Sequence, residues 1–207
     1  YVIAELDDSY TKYWEASIEA EWQTERFYLN ASYVYSHYYG NFDADNVASN
    51  SDANLFIGSS MLADGKGRQL WDGKDGDLSG DKPHVFKMFG YYTLDWEAQV
   101  GFYALYQSGD TWEKWDGTLY GYSSSTIRFA ETAGSRRSSS HWQVDLNYTQ
   151  DWQIAEAYTV KFQADVFNIF DNQTGYNMNP YASSDTFGEA RSSYDPRRVQ
   201  MSVSIEF

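Results

Sequence analysis

The sequence predicts an all-β chain of antiparallel strands, and three observations carry that expectation. Apolar and polar residues alternate with period two in repeated segments of about ten residues. The links between these segments alternate in length, short then long. Aromatic residues are abundant, with 19 Tyr, 12 Phe and 8 Trp, in a chain whose mean hydropathy is −0.64. Segments of this length suit a tilted bilayer crossing, and alternating lipid-facing and lumen-facing side chains average to a polar hydropathy. A transmembrane β-barrel, occupying residues 1–207 as one domain, is therefore expected over a soluble sandwich.

The first strand covers about Tyr10 to Gln23, with Tyr10, Trp14, Ala16, Ile18, Ala20 and Trp22 on one face and Glu15, Ser17, Glu19, Glu21 and Gln23 on the other. After a tight link at Thr24, Glu25 and Arg26, the second sets Phe27, Leu29, Ala31, Tyr33 and Tyr35 against Asn30, Ser32 and Ser36. The third, His84 to Leu94, is less regular, with Phe86, Met88, Tyr92 and Leu94 opposite Lys87, Phe89 and Tyr91. The fourth sets Trp96, Ala98, Val100, Phe102, Ala104 and Tyr106 against Glu97, Gln99, Gly101, Tyr103 and Gln107. In the fifth, Trp142, Val144, Leu146 and Tyr148 alternate with His141, Gln143, Asp145, Asn147 and Thr149. The sixth pairs Tyr158, Val160, Phe162, Ala164 and Val166 with Thr159, Lys161, Gln163 and Asp165. The last runs Val199, Met201, Val203, Ile205 and Phe207 against Arg198, Gln200, Ser202, Ser204 and Glu206.

Short links lie near 24–26, 95–96 and 150–157, and long ones near 39–82, 108–140 and 170–196. Outer-membrane barrels have this asymmetry, with short periplasmic turns and long extracellular loops. Pro83, Pro180 and Pro196 all fall in links or at a strand's first residue, where no ladder hydrogen bond is lost. Aromatics gather at the strand ends: Trp22, Phe27, Trp96 and Trp152 near the short turns, Tyr38, Tyr39, Tyr106 and Trp142 near the long loops. That distribution fits two interfacial girdles, although aromatics are also good strand formers.

Composition removes other classes. No apolar run approaches the roughly 18 residues of a membrane helix, and the amino end shows no charged-then-apolar leader pattern. With no cysteine, no disulfide, thiolate metal site or cysteine nucleophile is available. A net charge of −15 argues against a nucleic-acid partner. His37, His84 and His141 fall on separate strands with no Ser or Cys at useful spacing, so no catalysis and no cofactor are expected.

The segment VKFQADVFNIFDNQ at the sixth strand and the ending DPRRVQMSVSIEF resemble the last strands of TonB-dependent outer-membrane receptors. The stretches SYVYSHYYGNF, GDKPHVFKMFGYYTL and ALYQSGDTW look more particularly like the Oar-like branch of that family. The resemblance touches nearly every strand from Ser32 onward. It implies that the chain is the carboxy-terminal segment, about seven or eight strands, of a barrel of about 22. A plug, not contained in this chain, would fill the lumen, and energy from the TonB complex would drive uptake of scarce ligands. The last strand would run inward, and counting back puts the amino end outside the cell, as expected of a fragment. It also implies that Val199, Met201, Val203, Ile205 and Phe207 form the insertion signal read by the barrel-assembly machinery. The alternative is a small structural or adhesive barrel of eight strands, if Tyr1 to Leu6 adds a strand turning at Asp7, Asp8 and Ser9.

In this frame Trp142, Val144, Leu146, Tyr148, Val160 and Phe162 contact lipid. Glu15, Glu19, Glu21, Gln143, Asp145, Lys161, Gln163 and Asp165 face the lumen, where they can bind a plug, coat a passage or hold a ligand. The loop DGKDGDLSGD offers Asp72, Asp75, Asp77 and Asp81 as oxygen ligands of the kind calcium prefers, without EF-hand spacing, and a solvated acidic loop is the simpler expectation. Asp43, Asp45 and Asn46 form a weaker acidic stretch. Arg136 and Arg137, in the second long loop, either meet lipopolysaccharide phosphates or stand in water.

Overall fold

Period-two alternation becomes a sheet because successive side chains of an extended chain point to opposite faces. The computed structural model describes residues 10–40, 75–116, 131–155 and 158–207, and among these there are strands, turns and no helix. Twelve strands are numbered in chain order: β1 (Thr11–Gln23), β2 (Phe27–Gly40), β3 (Gly76–Asp77), β4 (His84–Thr93), β5 (Gln99–Gln107), β6 (Thr111–Trp112), β7 (Arg136–Arg137), β8 (His141–Ala155), β9 (Tyr158–Phe167), β10 (Gly175–Met178), β11 (Ala190–Ser193) and β12 (Arg198–Glu206).

Seven of them form an antiparallel meander in the order β1-β2-β4-β5-β8-β9-β12, with β3 added beside the far end of β2. The register sets the apolar positions of one face opposite one another across the strands. Ala20 lies opposite Ala31, Ala31 opposite Met88, Met88 opposite Ala104 and Ala104 opposite Val144. One residue along, Glu19 meets Ser32, Ser32 meets Lys87, and Leu105 meets Gln143. A slip by one residue would exchange the two faces throughout, so the alternation itself specifies the register. Among the described residues β1 and β12 are the sheet's two edges, and no ladder joins them.

The turns explain where expected boundaries move. At the first, the Thr24 hydroxyl accepts from the Phe27 amide at 3.1 Å, while Thr24 donates its amide to the Phe27 carbonyl at 2.8 Å. Arg26 there pairs with Asp95 of the next short turn. The fourth strand begins at Gln99, not Trp96: Leu94 donates to the Ala98 carbonyl at 2.8 Å, Glu97 sits at φ 66°, and Ala98 is fully buried. The fifth strand runs on through the expected link to Ala155, with Trp152 opposite Val160 and Gln153 opposite Thr159. Gln150, a polar residue on the apolar face, conceals this continuation. Its amide turns back to the Asp151 carbonyl at 3.0 Å and is buried.

The long links are not plain loops. β6 pairs with β7, and β10 with β11. Trp115 bridges Tyr181, donating to the Pro180 carbonyl at 2.8 Å and accepting from Ala182 at 3.0 Å, so the second and third long links are stitched together. Burial concentrates in this layer, at Leu78, Asp81, Glu113, Trp115, Ala133, Ser138, Asn168 and Asn179, while every residue of β1 and β12 is exposed. Tyr1 to Leu6, the turn at Asp7 to Ser9, Asp43, Asp45, Asn46 and Asp72 lie outside the described residues.

Candidate functional site

The sheet presents two chemically different faces. On one, the positions from Trp14 to Trp22, Leu29 to Tyr35, Phe86 to Tyr92, Val100 to Tyr106, Trp142 to Tyr148, Val160 to Val166 and Val199 to Ile205 carry no Asp, Glu, Lys or Arg. Trp142, Val144, Leu146, Tyr148, Val160, Phe162, Val199, Met201, Val203 and Ile205 all lie on this face. Among the described residues no layer packs over it, and at its edge strands Ile18 is 67% exposed, Met201 69% and Val203 67%. Phe207, just past β12, is 98% exposed beside Tyr158.

Trp and Tyr border it. Near the short turns Trp22 meets Phe27 edge-on at 5.5 Å, with Trp96 and Trp152 both exposed there. At the other end stand Trp14 against Tyr35 at 5.2 Å and Trp142 against Phe170 at 5.4 Å. Tyr38, expected in this row, lies on the opposite face beside Tyr13, because it follows His37 by one residue. From Trp142 to Trp152 the chain advances ten residues. At ~3.4 Å per residue and a tilt of roughly 40° that spans about 26 Å, close to the ~25 Å apolar band of an outer-membrane barrel.

The second face is a hydrogen-bonded polar lattice holding Glu15, Glu19, Glu21, Gln143, Asp145, Lys161, Gln163 and Asp165. Asn30 donates to Glu19 at 2.8 Å, Asn147 to Asp165 at 2.6 Å, Gln163 to the other Asp165 oxygen at 2.8 Å, and Lys161 pairs with Glu206 at 2.7 Å. Tyr13 donates to Glu15. Where Gly101 leaves the wall without a side chain, a hollow of about 430 Å³ opens between Tyr28, Phe89, Tyr91 and Tyr103 on one side and Asp145, Asn147 and Asp165 on the other. Aromatic faces beside amide and carboxylate groups suit a polar organic ligand or the side chains of another protein segment.

Asp145 does more than line that hollow. Its Oδ1 accepts from Gln143 at 2.7 Å and from the backbone amide of Asn168 at 2.7 Å. Asn168, buried and at φ 52°, donates its side-chain amide to the carbonyls of Asp195 at 2.9 Å and Asn172 at 3.2 Å, and accepts from the Asn172 amide at 2.9 Å. Asp171 accepts from the Arg197 amide at 2.8 Å, and Asn172 donates to the Trp142 carbonyl at 2.8 Å. The segment FNIFDN is thus a knot tying β8, β9 and the approach to β12. Its Asn and Asp residues, types that tolerate the left-handed region and bond to nearby backbone, are the sequence signal for it.

No family model, curated protein or solved structure matches the chain.

The loop layer corrects two expectations. Arg136 is exposed but not unpartnered: its guanidinium grips Glu131 through two bonds of 2.6 Å and lies over Trp112 at 5.2 Å and Phe187 at 5.5 Å. The bonds from Arg136 hold the Glu131 carboxyl below the usual carboxylate range. Arg137 donates to the carbonyls of Asp81 and Gly109 at 2.6 and 2.9 Å and to the Asp81 carboxylate at 2.6 Å. Asp81, expected in a solvated acidic loop, has no exposed side-chain surface. Both arginines therefore satisfy carboxylates of the loop layer. The three histidines remain on separate strands, and His141, buried, stacks on Tyr194 at 3.5 Å, an aromatic contact the sequence pattern did not indicate.

Proposed function

We propose that this chain is the carboxy-terminal part of an outer-membrane β-barrel of the TonB-dependent receptor type, of the Oar-like branch, serving as barrel wall and extracellular loops for ligand uptake. The observation that carries the reading is the apolar face: seven antiparallel strands with no charged side chain across a band of about 26 Å, no protein layer against it among the described residues, and Trp or Tyr at both margins. In water such a face would expose far more contiguous apolar surface than a monomeric protein carries. In lipid it is a matched solvent.

Further features support the receptor form. The edges at β1 and β12, open among the described residues, fit a segment whose neighbours belong to the remainder of the barrel. The polar lattice and its hollow offer hydrogen-bonding groups to a plug, through which the TonB complex would act. The stitched loop layer would stand outside the cell beside lipopolysaccharide, and the terminal strand would be the segment read by the barrel-assembly machinery. No catalytic role is assigned.

The chain lacks cysteine, so single-cysteine labelling is clean. Fluorophores at Val144, Leu146 and Val203 in the protein reconstituted with brominated lipid should be quenched, and those at Gln143, Asp145 and Ser204 should not. Equal quenching of both sets, or none at the first, overturns the membrane reading. A heat-modifiable gel shift of the isolated chain would replace the receptor segment with a small closed barrel.

A further inference from the structure

We propose that His37, Asp77 and Asp81 bind one divalent transition-metal ion of the zinc type at the long-link end of the sheet. The site comes from three places: His37 near the end of β2, Asp77 in β3 paired beside it, and Asp81 in the turn that follows. One potential ligand atom from each lies within 4.8 Å of the others.

Distances and orientation point to an ion more than to a salt bridge. His37 Nδ1 stands 3.7 Å from Asp77 Oδ1 and 3.6 Å from Asp81 Oδ1, too far for hydrogen bonds. Ligands held about 2.0–2.2 Å from a tetrahedral ion are about 3.3–3.6 Å apart, which is close to this spacing. The converging carboxylate atoms are the Oδ1 oxygens, which Arg137 does not take. Arg137 Nη2 contacts Oδ2 of both aspartates, at 2.6 Å for Asp81 and 3.4 Å for Asp77. The Tyr38 amide bonds Asp81 Oδ1 at 2.7 Å, leaving that oxygen a second lone pair. The His37 ring is fixed by stacking on Tyr39 at 4.5 Å and 17°, with Trp14 edge-on at 6.3 Å. Arg137 and the ring stack act as the outer layer that orients ligands before an ion arrives.

Charge and access agree. Two carboxylates against one guanidinium leave an excess negative charge, and the His37 and Asp77 side chains are 36% and 34% exposed, so one side is open. The imidazole sets the class of ion: calcium and magnesium take oxygen, whereas imidazole with carboxylate suits zinc and its neighbours. Two aspartates of the stretch expected to be a solvated acidic loop are thereby drawn together with a histidine from about forty residues earlier. A bound ion would clip β2 to the first long link and, through Arg137, to the second. The proposal does not depend on the membrane reading.

The test is calorimetric titration of the whole chain in detergent micelles with ZnCl2, and separately with CaCl2. One equivalent of zinc should bind, and excess calcium should not displace it. His37→Phe keeps the ring that stacks on Tyr39 and removes the ligating nitrogen, and Asp77→Asn keeps the shape and removes the charge. Each should weaken zinc binding at least about ten-fold, while His84→Phe should not. Zinc-edge absorption of the unmodified chain should show one imidazole nitrogen among oxygens, a readout independent of any variant's folding. Absence of saturable zinc binding, or affinity unmoved in His37→Phe and Asp77→Asn, overturns the proposal.

Discussion

Asp145 and Asn168 are joined by a 2.7 Å bond from the Asn168 amide to the Asp145 carboxylate, and this places a left-handed residue between the ends of β8 and β9. Asn168→Ala removes three further side-chain bonds from a buried position and leaves alanine at φ 52°. Unsatisfied buried groups cost about 1–3 kcal/mol and a strained αL residue about 1–3. A loss of about 2–4 kcal/mol is expected in urea unfolding from micelles. Asn168→Gly should lose less, since it relieves the backbone.

Gly134 approaches β3 so closely that an added Cβ would lie 2.1 Å from the Asp77 carbonyl oxygen, and its φ is 62°. Gly134→Ala should separate the second long link from the first. Limited proteolysis around residues 131–137 should speed up while the strands stay protected.

Glu131 supplies a pH dependence. Its carboxyl is lowered by the Arg136 bonds, so the stabilisation it gives is complete above the ordinary carboxylate range and is lost as pH falls through its lower folded value. Amide exchange across 131–137 should accelerate on acidification. Glu131→Gln should exchange faster at neutral pH and lose most of that dependence.

Met201 and Ser202 are neighbours on opposite faces, both exposed. If the apolar face meets lipid, Met201→Arg should cost about 2–4 kcal/mol of folding stability in bilayers. Ser202→Arg should stay within about 0.5 kcal/mol. Similar costs at the two positions would contradict the facing.

Phe207 separates a stability role from a signalling role. If the chain is part of an outer-membrane barrel, as proposed, a charge near the interface costs about 0–1 kcal/mol, so stability alone predicts nearly normal amounts of the Phe207→Asp protein. An assembly signal predicts slowed arrival in the outer membrane, followed by pulse-chase. Arrival at the wild-type rate would sink the signal.

The seven long strands and their two faces were determined by the sequence itself, because the period of two is a property of the extended backbone. Two boundaries escaped it for local reasons: Gln150 interrupts the apolar face yet bonds to backbone, and the turn through Ala98 resembles strand in its alternation. What only the tertiary structure decided lies in the long links. Arg137 meets Asp81 across 56 residues of chain, Asn168 reaches Asp195 across 27, and His37 gathers with Asp77 and Asp81 only because β3 pairs with β2. No periodicity encodes such partners. They are chosen by which charges and amides must be satisfied once the strands have fixed the ends of each link, and burial then turns an apparently solvated loop into a connected polar layer.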